Sequence, residues 1–198
     1  MTATHRAGTY LANFLADRRG VAAMEFALIA PVMIMLLLGS VEITTGLDVN
    51  KKLGRATIIV NDLVTQQQAI VKNDLDDIMA IGATTLLPYQ RDLPQITVTA
   101  INIPLTGSPT VAWSRRMVNQ TVSTPYTKGS NITVDANLNN PGTSIVRVET
   151  QIAYIPLIAW TIKNTVNTSV GTSGPGLAMS KTYYGRVRQG PSVACSDC

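Results

Sequence analysis

Hydrophobic and polar positions divide this chain into one long apolar block followed by shorter periodic segments. From Ala27 to Val41, Leu, Ile, Met and Val occupy every face of a helix, leaving no polar side for water. Such a run is too long for a buried helix of a small domain and about right for a bilayer. Only a helix satisfies its own backbone polar groups in lipid, so the pattern predicts one transmembrane helix over residues 21–47. Pro31 lies inside it and removes a backbone donor, which predicts a loosened or kinked helix near that residue.

Beyond Leu47 the period becomes that of an amphipathic helix. Val49, Leu53, Ala56, Val60, Leu63 and Gln67 fall at spacings of three and four, and Lys52, Arg55, Asn61, Asp62 and Gln66 take the other side. The helix is expected to continue from lipid into a soluble domain and to lay this stripe on a sheet. Asn73-Asp74-Leu75-Asp76-Asp77 reads as a second helix start, with Asn73 or Asp74 as its cap and a short buried face of Leu75, Ile78, Met79 and Gly82. The same acids lack the ligand spacing of a calcium loop.

After Pro88 the period shortens to two. Ile96, Val98 and Ala100 alternate with Gln95, Thr97 and Thr99, a half-buried strand. Thr106-Gly107-Ser108-Pro109 is a turn, and Thr110–Ser114 is the hairpin partner. Residues 115–141 read as a long polar loop with a short strand at Ile132–Val134. Ser144–Ile155 is the strongest strand, with Val146, Val148, Thr150, Ile152 and Tyr154 on one face. Pro156–Trp160 is an apolar turn, Gly171–Gly176 a flexible loop, and Leu177–Arg188 a last alternating segment. The expected fold class is α+β: a long N-terminal helix, a short second helix and a mostly antiparallel sheet of about four strands. The expected division is a leader over residues 1–20, the membrane helix over 21–47, an α+β domain over 48–190 and a tail over 191–198.

Charge and chemistry narrow the function. The formal net charge of +4 is split, with +2 in residues 1–20 and the remainder on 13 basic and 11 acidic residues spread along the chain. No basic run with interleaved aromatics occurs, so no nucleic-acid partner is expected. The single His is His5 in the leader, and the two Cys are Cys195 and Cys198 at the C-terminus. There is no Ser/His/Asp or Cys/His set, no phosphate-cradling glycine loop and no metal-ligand spacing. An enzyme, a metal, a cofactor or a small-molecule substrate is therefore not expected. The Cys195-Ser196-Asp197-Cys198 motif lies outside the α/β setting in which a C-x-x-C does redox chemistry. It leaves open an internal disulfide, in an oxidising compartment, or a tail without a role. Arg6, Arg18 and Arg19 favour a cytoplasmic N-terminus, although Lys51, Lys52 and Arg55 follow the span closely and oppose that bias.

The segment Gly20-Val21-Ala22-Ala23-Met24-Glu25-Phe26-Ala27-Leu28-Ile29-Ala30-Pro31 resembles the start of the TadE/TadG-like proteins, minor pilin-like components of the tight-adherence (Flp-type, type IV pilus-related) apparatus. Gly39 and Glu42 continue the pattern, and the resemblance is specific over about residues 18–60. It implies cleavage between Gly20 and Val21 by a prepilin peptidase, leaving Glu25 as the fifth residue of the mature chain. It further implies a single-pass protein of the bacterial inner membrane with a periplasmic C-terminal domain, packed with other pilin-like subunits through Glu25 and Phe26. In that setting Glu25 neutralises the new amino group at Val21 of a neighbouring subunit. The chain lacks the larger C-terminal domain common among TadG-like proteins, so the TadE-like role is preferred. The opposing reading is an uncleaved, signal-anchored periplasmic binding or sensor protein, in which Glu25 is a shallow residue reaching the headgroups.

Overall fold

The structure, a computed structural model, describes residues 20–89, 91–157 and 176–198. The leader before Gly20, the apolar turn from Ile158 onward and most of the Gly171–Gly176 loop lie outside the described residues. The chain divides into two compact units, one ending at Thr44 and the other spanning Thr45–Cys198.

The first element, α1 (Val21–Thr65), is a single helix of 45 residues that contributes to both units. It runs through Pro31 as one element. In the first unit its side chains are exposed on every face: Met24, Phe26, Leu28 and Met35 are each more than 70% accessible. This helix is long and apolar enough to cross a membrane.

The second unit is α+β. Short strand β1 (Ala69–Ile70) leads into α2 (Lys72–Thr84). Strands β2 (Gln95–Ile103), β3 (Thr110–Val118), β4 (Thr121–Ser123), β5 (Thr143–Tyr154) and β6 (Leu177–Arg186) form a sheet in the order β4-β3-β2-β5-β6, antiparallel throughout. A final strand, β7 (Ala194–Cys195), pairs in parallel with β1. The sheet therefore has five strands rather than about four, because β3 runs on to Val118 and turns through Asn119 and Gln120 into β4. Both turn residues have positive φ (45° and 62°), the backbone of a tight two-residue hairpin.

The core lies between the helices and one face of the sheet. Val60, Val64, Leu75 and Met79 pack with Ile96, Val98, Val146 and Val148. Val49 and Leu53 continue it against Leu86, Ile152 and Tyr154. The buried stripe of α1 differs from expectation at its polar members. Val64 rather than Leu63 completes it, Gln67 is exposed, and Thr57, Asn61 and Thr65 are buried within it. Asn61, expected on the solvent side, donates to the Val146 carbonyl at 3.0 Å, and the Thr57 hydroxyl meets Thr150 Oγ1 at 3.0 Å. Both satisfy their polar atoms inside the core, which is what makes burial tolerable.

Two glycines set the distance between layers. A Cβ at Gly82 on α2 would overlap the Val60 side chain, and one at Gly185 on β6 would overlap Asn61.

The second sheet face is also covered, so β2 is not half-buried: Thr97 and Thr99 are closed off along with Ile96 and Val98. Arg116 Nε donates to Thr97 Oγ1 (3.1 Å) and Thr99 shares a hydrogen bond with Ser114 (3.1 Å). Ile101, Ile103 and Ile145 form a separate cluster beneath Ile132 and Val134, and the Arg147 guanidinium lies 5.3 Å from the Tyr126 ring centroid. The polar segment between β4 and β5 therefore acts as a cover. It is tied to the start of β3 by the bridge Thr110–Asn131, in place of a strand at Ile132–Val134. A register shift between Ala100 and Ile101 places Trp113 opposite Ala100 and Val111 opposite Ile101, so these two aromatic and aliphatic side chains serve opposite faces.

Candidate functional site

Two regions hold the residues singled out by sequence. The first is the start of α1. Gly20 directly precedes the helix and Val21 is its first residue. Glu25 and Phe26 follow one turn later, both exposed, with Phe26 73% accessible. No ion pair involves Glu25 among the described residues. Pro31 sits within the helix and Gly39 has open space around its Cα. A carboxylate at the head of an apolar helix, together with the terminus that cleavage before Val21 would free, makes a short linear constellation of opposite charges. Among the described residues it lies open on the helix surface, with Glu25 and Phe26 both exposed.

The second region is the C-terminus. Residues 191–198, expected as a tail, belong to the domain. Val193 is buried in the main core, and its carbonyl accepts a hydrogen bond from Trp113 Nε1 at 2.8 Å. The Ala194 amide donates to the Gln68 carbonyl (3.0 Å), and Arg188 pairs with Asp62 while its amide reaches the Thr65 carbonyl. Cys195 and Cys198 form a disulfide. The loop it closes presents Asp197, whose carboxylate accepts the Lys72 amide at 3.0 Å.

This corrects the expected start of α2. Val71 occupies the cap position without a side-chain hydrogen bond, and neither Asn73 nor Asp74 caps the helix. The cap comes from 125 residues downstream. An acid at this place also suits the positive end of the helix dipole. Cys195, Asp197 and Cys198 bring their potential ligand atoms within 4.8 Å of one another, but the disulfide removes both sulfurs from metal chemistry.

Asp76, also read from sequence as part of a helix start, instead ties α2 to the sheet. Arg115 Nε and Nη2 each donate to one of its oxygens at 2.6 Å. The Arg115 pKa is raised by this hydrogen bond with Asp76, against desolvation, with the charges of Asp76 and Asp197 adding to the rise. Residues missed by sequence reasoning are thus Asp197 and Arg115. Neither carries a local signal, because both act on an element far away in the chain.

Residues 20–57 match the model of the TadE family, described as TadE-like protein. The match begins at Gly20 and covers the stretch on which the sequence resemblance rests, so the N-terminal segment is TadE-like. No curated protein and no solved structure matches the chain.

Proposed function

We propose that this chain is a structural, minor-pilin-like component of a tight-adherence pilus apparatus. It is held in the bacterial inner membrane by α1, with its N-terminus cytoplasmic and its α+β unit periplasmic. A prepilin peptidase cleaves it after Gly20, and the mature chain packs with other pilin-like subunits through Glu25 and Phe26.

The observation that carries this reading is the TadE-like match over residues 20–57, which opens on Gly20 immediately before a helix beginning at Val21. The apolar helix exposed on all faces supports it, since such a surface needs lipid or other helices around it. In an oxidising periplasm the Cys195–Cys198 disulfide is expected to persist.

N-terminal sequencing of the protein from its native membranes, beside a Gly20→Leu variant, tests the proposal. A mature chain starting at Val21, lost in the variant, supports prepilin-type processing. A chain that keeps its leader in both would overturn it in favour of an uncleaved signal anchor.

A further inference from the structure

We infer that the second unit carries a binding site for the headgroup of an anionic phospholipid, at the foot of the domain where α1 leaves its apolar stretch. The inference rests on the membrane-span reading of residues 21–47.

A cavity of about 410 Å³ is lined by Thr45, Asp48, Lys52, Pro88, Tyr89 and Arg91. Its helical wall is the part of α1 that crosses the end of the 21–47 span, from Thr45 to Lys52. Lys52 is five residues past Leu47, a rise of about 7.5 Å at 1.5 Å per residue, which is headgroup depth for a helix that spans the bilayer. Two cations and one acid line it. Lys52 Nζ lies 3.0 Å from Asp48 Oδ2 and 3.0 Å from the Leu87 carbonyl, which uses two of its three donors. Arg91 gives one of its five donors to the Ile155 carbonyl at 3.0 Å, and its guanidinium lies 5.7 Å from the Tyr89 ring centroid. Tyr89 in turn stacks on Tyr154 with ring centroids 5.6 Å apart. These bonds hold both cations in place along one opening while leaving donors for a phosphate. Tyrosines beside cations at the edge of an apolar span are the residues that anchor a protein at a bilayer surface. Lys51 and Arg55, exposed on the same stretch of α1, add positive charge nearby. The site also accounts for basic residues on the side of the span where the positive-inside bias does not want them.

The test is native mass spectrometry of the full chain released from vesicles of phosphatidylglycerol and phosphatidylethanolamine in equal amounts. The chain is expected to retain phosphatidylglycerol preferentially, by about fivefold for each cation that contributes at the surface. The double variant Lys52→Gln/Arg91→Gln should lose the preference, and Lys181→Gln on β6 should keep it. Asp48→Asn removes the competing acid without removing a cation and should strengthen it, which keeps the inference testable if the double variant fails to fold. Equal retention of both lipids by the unaltered chain, or a preference untouched by either site variant, would overturn the inference. Displacement of the lipid by millimolar inorganic phosphate would make the ligand free phosphate and overturn the lipid assignment. Carbonate washing of membranes separates the two readings: a chain that washes off defeats the span as well, whereas a chain that stays but shows no preference defeats the headgroup site alone.

Discussion

Asn61 of α1 donates its side-chain amide to the carbonyl of Val146 in β5 at 3.0 Å, and both residues are buried. The contact fixes the rotation of the helix on the sheet, because an amide in an apolar stripe has a low energy only where an acceptor faces it. Gly185 on the neighbouring strand leaves the room that Asn61 occupies.

Asn61→Ala is therefore expected to destabilise the detergent-solubilised chain by about 1–3 kcal/mol, since it leaves the Val146 carbonyl without this partner. Asn61→Asp should be worse, because it sets a buried charge against a carbonyl oxygen. Urea unfolding followed by tryptophan fluorescence reads both. An unchanged midpoint for Asn61→Ala would show that the amide does not hold the helix in place.

Gly82→Ala sets two effects against each other. Alanine is the better helix former by about 1 kcal/mol. Its Cβ would overlap the Val60 side chain, and overpacking of a core costs about 1–3 kcal/mol. The second effect wins where α1 and α2 cannot separate, so a net loss is expected. Val60→Ala should relieve it, and a double-mutant cycle should return a favourable coupling between the two substitutions. Additive losses would mean that the helices move apart freely.

The Arg115–Asp76 pair predicts a specific failure of the conservative change. Its two parallel hydrogen bonds need the planar guanidinium, so Arg115→Lys should lose much of what Arg115→Gln loses, about 1 kcal/mol after discounting for partial exposure. The sign of the pH dependence follows from the raised Arg115 pKa. A raised pKa gives stability that is complete below the unfolded value and fades only as the pH rises through the folded one, both far above neutrality. The difference between the parent chain and Arg115→Gln should then stay flat from about pH 7 to pH 10. A difference that shrinks across that range would place its source in another group.

Asp197 caps α2 only because the four-residue loop closed by Cys195 and Cys198 presents it. Asp197→Ala should cost about 1 kcal/mol, and Asp197→Asn much less, since asparagine caps nearly as well. Reduction of the disulfide should remove about 2 kcal/mol by the loop-entropy relation for so short a loop, and Asp197→Ala should then add little. Thermal unfolding with and without reductant, for both forms, gives the comparison. Fully additive effects would separate the cap from the disulfide.

The long-range character of these contacts explains how far the sequence could be read. Apolar period alone placed α1, because one helix face meets one sheet face and the stripe from Val49 to Val60 records it. It failed at Asn61, where the partner is a strand 85 residues away and polarity suggests solvent, and it passed over Thr57, whose partner lies 93 residues away. The alternation in β5 was legible for the same reason as the α1 stripe. The burial of Thr97 and Thr99 was not, since it depends on Arg116, Ser114 and the cover between β4 and β5. A cap at Asn73 or Asp74 is what local rules favour, and a carboxylate from the far end of the chain displaced it. At the N-terminal site the reverse holds. The spacing of Gly20, Glu25 and Pro31 is wholly local, so the sequence states it in full and the fold adds only its exposure.

An ionised carboxylate within an apolar span costs about 2.5–3.5 kcal/mol on insertion scales, and a new α-amino group at Val21 would carry a comparable penalty. In the proposed assembly one contact between Glu25 of one chain and the Val21 amine of the next would offset both penalties, which neither chain can do alone if each helix lies straight. Glu25→Gln removes the charge while keeping size and hydrogen bonding. It should insert in the membrane at least as well as the parent, and cleavage after Gly20 should continue, since the bond cut lies five residues earlier. Crosslinking between subunits through cysteines placed near residue 26 should fall sharply, because the amine would be left uncompensated. Glu25→Asp, with the charge kept and the reach shortened, should fall between the two. If Glu25→Gln crosslinks as well as the parent, the carboxylate does not pair with the neighbouring amine and is instead a residue that reaches the headgroups.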